Sequence, residues 1–176
     1  MSNNNEADLQ AMQEVRKAAR HFAMLYFHFC HSIVEAVGSE AALPIVQKAV
    51  FKLALERTDL TRAKAQEAGA ELNLINFSAF SDLPTVGWSA WDASMGGVRC
   101  PYAQQWALYF DAHPWFRQFA SLYCDVIDTT TIENFSRTLS HRITKNLVWG
   151  DATCEHEYYE SDDVKKGKLT YGKREG

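Results

Sequence analysis

The sequence predicts an α+β protein, with long N-terminal helices packed on a small antiparallel sheet and a C-terminal β-hairpin. Three observations predict it. Apolar residues recur at helical spacing through the first part of the chain, and the last part alternates apolar and polar residues around a Gly150-Asp151 turn. Helices also precede strands, which is the order of an α+β arrangement rather than of repeated βαβ units.

The first helix is expected over roughly Glu6 to Val37. Ala19, Phe22, Ala23, Tyr26, Phe27, Cys30, Ile33, Val34 and Val37 follow the i, i+3, i+4, i+7 pattern of one buried face. Gly38 ends it, and Ser39 can cap the next helix, expected over Ala41 to Ala68. Pro44 belongs in the first turn of that helix or marks its start, and Gly69 is its stop. Asn73 to Leu83 holds room for a short helix. Val86 to Ser94 and Val98-Arg99-Cys100 read as two strands joined near Met95 to Gly97. Pro101 opens a helix to about Phe110, and Pro114 opens another to about Ile127. Ser136 to Trp149 and Thr153 to Tyr159 form the hairpin, with Leu139, His141, Ile143, Lys145 and Leu147 on one side. One domain over 1–160 followed by a polar tail over 161–176 accounts for the length.

Charge and composition exclude several classes. The net charge is −4 and the tail holds the only cluster of Lys and Arg, so nucleic acid is not the expected ligand. The N-terminus is polar and acidic, unlike a signal peptide. The longest apolar stretch, Phe22 to Val37, is interrupted by His28, His31, Ser32 and Glu35, so no membrane span is expected. A cytoplasmic location follows, where Cys30, Cys100, Cys124 and Cys154 would remain thiols. No two cysteines have CxxC spacing, and neither a metal nor a cofactor is expected.

Three short motifs carry a resemblance. They are Cys100-Pro101-Tyr102-Ala103 with Trp106; Leu122-Tyr123-Cys124-Asp125-Val126-Ile127-Asp128 with Asn134-Phe135; and Gly150-Asp151-Ala152-Thr153-Cys154-Glu155, preceded by the strand with Thr144. In this order the segment resembles the L-2-amino-thiazoline-4-carboxylic acid hydrolase family. Asn134-Phe135 stands where that family often has Asn-Pro, and the Gly-rich turn expected near Arg57 is missing. The resemblance implies hydrolytic opening of a cyclic amidine to an N-carbamoyl amino acid. Cys100, Cys124, Asp128 and Cys154 would then be catalytic, and Tyr102, Trp106, Tyr123, Asn134 and Thr144 would contact a small-molecule substrate.

The chemistry such a reaction needs is a nucleophile at the carbon between nitrogen and sulfur, a base, and groups that hold the amidine. A cysteine thiolate can attack that carbon, or a carboxylate can pair with the amidinium and activate water. Cys100 precedes a helix N-terminus, which favours a thiolate. Cys124 and Asp128 are four apart and share a face if their helix continues; otherwise Asp128 caps a turn over Thr129 to Thr131. Each cysteine also has a plain reading as a buried small hydrophobe, Cys30 above all. Gly150-Asp151 also reads as ordinary turn chemistry, and Tyr102, Trp106 and Tyr123 as core or pocket wall, which sequence does not divide.

On the first helix, His21, His28, His31 and Glu35 fall in a stripe roughly 80° wide at about 100° per residue, nearly opposite the apolar face. His28 and His31 have metal-sharing spacing, but a solvated face or a subunit interface accounts for the stripe, and a homodimer is compatible with it. His141 falls on the apolar side of its strand as a core histidine, while His156 faces either the Cys154 side or solvent. Two other functions compete with hydrolysis: a non-catalytic small-molecule binding or sensing module, since the hairpin and helices also resemble 4-vinyl-reductase-like domains, and an adaptor that uses the histidine stripe.

Overall fold

The computed structural model describes residues 2–83, 88 and 100–160, with side chains from Asp8 onward. The elements among the described residues are α1 (Ser2–Val37), α2 (Ser39–Glu67), α3 (Leu74–Ala79), α4 (Pro101–Ala107), α5 (Phe116–Phe135), β1 (Leu139–Lys145), a 3-10 turn (Leu147–Trp149) and β2 (Glu155–Glu160). The fold is α+β, mostly helical with a two-stranded antiparallel sheet at the C-terminal end of the described chain. Of the expected strands over Val86 to Ser94 and Val98 to Cys100 only Trp88 and Cys100 are described; the rest of both, and the tail over 161–176, lie outside the described residues.

The chain divides into two compact units. The first holds the described parts of Met1–Ala42, Leu83–Ala120 and Lys145–Cys154, and the second those of Leu43–Asp82, Ser121–Thr144 and Glu155–Gly176.

In the first unit, α1 packs on α4, and α4 meets the 3-10 turn. Of the periodic apolar residues of α1, Ala19, Ala23, Tyr26, Phe27 and Cys30 are buried, Phe22, Ile33 and Val34 are half-buried, and Val37, the last residue of the helix, is exposed. Polar tips are satisfied inside. Trp106 Nε1 donates to the Ala23 carbonyl at 3.0 Å, and Tyr26 Oη donates to the Phe119 carbonyl at 2.9 Å. Phe27 stacks on Tyr109 with centroids 3.8 Å apart and meets Phe116 edge-on. Arg117 spans Phe110 and the Val148 carbonyl, with its guanidinium 4.3 Å from the ring centroid and Nη1 donating at 2.8 Å. Because Trp106 is fully enclosed, Trp106→Phe removes both ring volume and the bond to Ala23. A loss of about 2 kcal/mol is expected in urea unfolding. An unchanged midpoint would show that Trp106 does not anchor this core.

The second unit is built on α2 and α5. Ala54, Thr58, Thr61 and Ala65 form the buried stripe of α2. Thr58 Oγ1 donates to the Ala54 carbonyl at 2.8 Å and lies 3.2 Å from the Thr131 carbonyl, while Arg62 donates to the Asn134 carbonyl at 3.2 Å. Ala65, Ile132, Phe135 and Leu139 make a separate apolar cluster, closed by Leu72, Leu74, Phe77 and Phe80.

Several boundaries differ from the sequence reading. α2 begins at Ser39, so Pro44 sits inside it rather than in its first turn. Gly38, at φ 81°, ends α1, and its carbonyl already accepts from Ala42 N, which starts α2 early. α4 ends at Ala107 and continues only as turns. α5 runs on through Asp128-Thr129-Thr130-Thr131 instead of stopping near Ile127. These poor helix formers are held there because Thr131 Oγ1 donates to the Ile127 carbonyl at 2.6 Å, Asn134 Nδ2 donates to the Thr130 carbonyl at 2.8 Å, and Thr130, Thr131 and Ile132 are buried. The first hairpin strand stops at Lys145 instead of Trp149. Asn146 accepts from Val148 N through its side chain, Asp151 accepts from Asn146 N, and Gly150 adopts φ 105°, so the segment winds into the 3-10 turn. Gly150-Asp151 therefore closes that turn and is not a two-residue hairpin tip.

Candidate functional site

The residues named from the motifs fall into both units. In the first, Cys100 is the N-cap residue of α4, half-buried, with Pro101 at the first helical position and the Arg16 guanidinium within electrostatic reach. Tyr102 is half-buried and packs on Phe22, Trp88 and Trp106. Trp106 is fully buried. Cys154 is knitted into its own loop: Leu147 N lies 3.5 Å from Sγ, and Sγ lies 3.8 Å from Asn146 Oδ1. Cys30 is buried, and that burial pushes its thiol up to about 12.

In the second unit lie Tyr123, Cys124, Asp128, Asn134 and Thr144. The continuation of α5 puts Cys124 and Asp128 one turn apart on one face, and Asp128 is not the cap of a following turn. Asn134 turns its amide back to its own helix. Thr144 donates to the Glu155 carbonyl at 3.3 Å. It shares the outer side of the hairpin with the Arg142–Glu157 ion pair at 2.6 Å, while His141, His156 and Tyr158 occupy the opposite side.

That opposite side, with α2 and α5, assembles the chemically distinctive cluster. Asp128 is surrounded by protein yet keeps some surface of its own. Burial pushes its carboxyl up to about 7; Arg57 opposes the rise and Asp125 adds to it. Asp125 is itself raised by burial against a 3.1 Å bond from Ser121 Oγ. Arg57 forks onto Asp82, with Nε and Nη2 donating to the two carboxylate oxygens at 2.8 Å each. Burial disfavours both charges, but the pairing outweighs it, so Arg57 is raised and Asp82 lowered. Tyr123 is buried and also lies within the field of Arg57.

The two hairpin histidines face each other. His141 Nε2 and His156 Nδ1 are 2.8 Å apart, and His141 Nδ1 lies 3.2 Å from Thr129 Oγ1. Burial, and then the neighbouring His156, push His141 down to about 4; burial lowers His156 too. Both rings are therefore neutral near pH 7. Tyr158 packs on both imidazoles, and although nearly half its surface is open, crowding and nearby Asp128 raise its hydroxyl. Glu133 pins the start of β1: Oε1 accepts from Ser140 Oγ at 2.9 Å and His141 N at 3.3 Å. Its buried Oε2 has no partner among the described residues.

Arg57, Asp82, His156 and Tyr158 were not among the site residues the motifs suggested. Arg57 had a readable signal, since it stands three residues after Ala54 and four before Thr61 on the inward stripe of α2. Asp82 and Tyr158 had none, because only folding brings them to α2 and α5. On α1, His21, His28 and Glu35 are exposed, as a solvated stripe would be. His31 departs from that picture: it lies 3.3 Å from Glu35 and leans on Phe27, His113 and Trp115, because it is one turn beyond Phe27 at the edge of the buried face. Among the described residues no three His, Cys, Asp or Glu side chains gather as a metal set, and no helix is long and apolar enough to cross a membrane.

Fold and cluster together define an α+β protein with a raised carboxyl beside an anchored arginine and a neutral histidine pair. Compared with protein families, curated proteins and solved structures, the chain matches none.

Proposed function

We propose that this protein is a small cytoplasmic hydrolase that opens cyclic amidines of the thiazoline type, like the L-2-amino-thiazoline-4-carboxylic acid hydrolases its motifs resemble. The observation that carries the reading is Asp128, enclosed in the second unit beside Arg57 and Tyr158 with its carboxyl raised to about 7. A neutral ring amidine is a poor electrophile until its ring nitrogen is protonated. An ordinary carboxyl is almost wholly ionised at pH 7, whereas Asp128, raised to about 7, keeps its proton in about half of the molecules. Once it has given the proton, the carboxylate pairs with the amidinium through two N–H donors, the strongest arrangement open to it. Arg57, already forked on Asp82, supplies a fixed positive field that keeps the new carboxylate from being too basic. The four free cysteines accord with a reducing compartment.

The test uses 2-amino-thiazoline-4-carboxylic acid, with imidazoline and oxazoline counterparts, and follows release of the carbamoyl product. The purified chain is expected to open at least one of these rings, and Asp128→Asn to lower kcat by about 10²- to 10⁴-fold. Because the acid form is needed, the wild-type rate should fall as pH rises through about 7. A wild-type chain inert on every ring, or an Asp128→Asn variant as fast as wild type, would remove this assignment.

A further inference from the structure

We propose that His156 is the general base of this site, presented by His141 and Thr129 in a fixed tautomer. The inference rests on the hydrolytic reading above and adds to it the group that activates water. Its basis is the chain Thr129 Oγ1–His141 Nδ1 at 3.2 Å and His141 Nε2–His156 Nδ1 at 2.8 Å, to which the proposal assigns a direction. His141 is buried and its place is doubly set, since Glu133 holds its backbone N–H and Thr129 meets its ring.

Two neutral imidazoles sharing one N···N bond must have one donor and one acceptor. When His141 donates its Nδ1 proton to Thr129 Oγ1, its Nε2 is an acceptor, and His156 must then carry its proton on Nδ1. That leaves His156 Nε2 bare, on a half-buried side chain. The groups packed against His156 are His141 from β1 and Tyr158 from β2; Tyr158 in turn lies within the field of Asp128 from α5, whose own charged neighbours are Arg57 and Asp125. A base and an acid thus flank one tyrosine.

The reaction balances on these groups and water alone. Water oxygen bonds to the amidine carbon, its proton goes to His156 Nε2, and the Asp128 proton goes to the ring nitrogen. The intermediate then forms its carbonyl, returns its hydroxyl proton to Asp128, and breaks the C–S bond. The leaving sulfur takes the proton held by His156. Both side chains end as they began. His141 and Thr129 act through His156 and are positioning residues.

Two measurements test this. Imidazole 15N spectra of the wild-type protein should show His156 protonated on Nδ1 and bare on Nε2, and His141→Phe should abolish that preference. A wild-type His156 protonated on Nε2 overturns the proposal whether or not a substrate is found. In kinetics, His156→Ala should lose about 10²-fold or more in kcat, with imidazole in solution restoring part of it, while His141→Phe lowers kcat with KM within about twofold. A His156→Ala variant within threefold of wild type, or one not rescued by imidazole, also overturns it. Wild-type inertness on all rings would fail the hydrolytic reading and leave the spectra to decide the tautomer. Loss in His156→Ala with full activity in Asp128→Asn would keep the base and remove the acid.

Discussion

At pH 8, Asp128→Asn is more stable than the wild-type chain by up to about 4 kcal/mol, and at pH 4 the two are nearly equal. The sign follows from proton binding. In the unfolded chain Asp128 ionises at its ordinary value near 3.8, and in the folded protein near 7. Between these values the folded state binds more protons, so stability falls as pH rises. The contribution is intact below about 4 and lost by the time pH passes about 7, and each unit of pKa difference corresponds to about 1.4 kcal/mol. Asn does not titrate, so the variant escapes the loss. Urea unfolding of both proteins at several pH values measures it, and the difference between them cancels every other titrating group. A difference independent of pH would mean that Asp128 is solvated like a surface carboxylate, and the proposed acid would lose its basis. Acids that destabilise their own fold at working pH are concentrated at functional sites.

Arg57→Ala costs about 3–5 kcal/mol, because it strands Asp82 in a half-buried place with neither of its two 2.8 Å bonds. The side chains of Arg57 and Asp82 keep 17% and 18% of their surface, so water relieves part of the penalty and the lower end of the range is expected. Arg57→Met with Asp82→Leu removes both charges together and should recover most of the loss. Arg57→Lys recovers less, since an ammonium cannot reproduce the two-pronged geometry. Asp128 reports the same change at a distance: Arg57 is what opposes its rise, so in Arg57→Ala its carboxyl should titrate above 7. Unfolding midpoints for the single and double variants test the pair. Equal losses in Arg57→Ala and in the double variant would show that the packing of the side chains matters and their pairing does not.

Most of the helical frame is readable before folding. The apolar spacing of α1 names nine residues; Ala19, Ala23, Tyr26, Phe27 and Cys30 are buried, Phe22, Ile33 and Val34 half-buried, and Val37 at the helix end is exposed. A buried helix face repeats every three or four residues, so it leaves its mark locally. The hairpin is also readable, though its loop is not. The 3-10 turn depends on bonds among Asn146, Val148 and Asp151 that no alternation pattern records. α5 outran its propensity for a related reason: Thr130, Thr131 and Ile132 are helical because they are packed.

The candidate site was legible in one residue and not in its company. Asp128 stands out as an acid one turn from Cys124 within an apolar stretch. Its partners are Arg57, whose own bonds run to Asp82, and Tyr158, which packs on the hairpin pair His141 and His156; all come from other elements of the chain. Amino-acid order sets which residues share a helix face or a strand side, because those periods are properties of the backbone. Which charge meets which, and whether a carboxyl keeps its proton at pH 7, depends on burial and on neighbours delivered from other elements, and these exist only once the chain has folded.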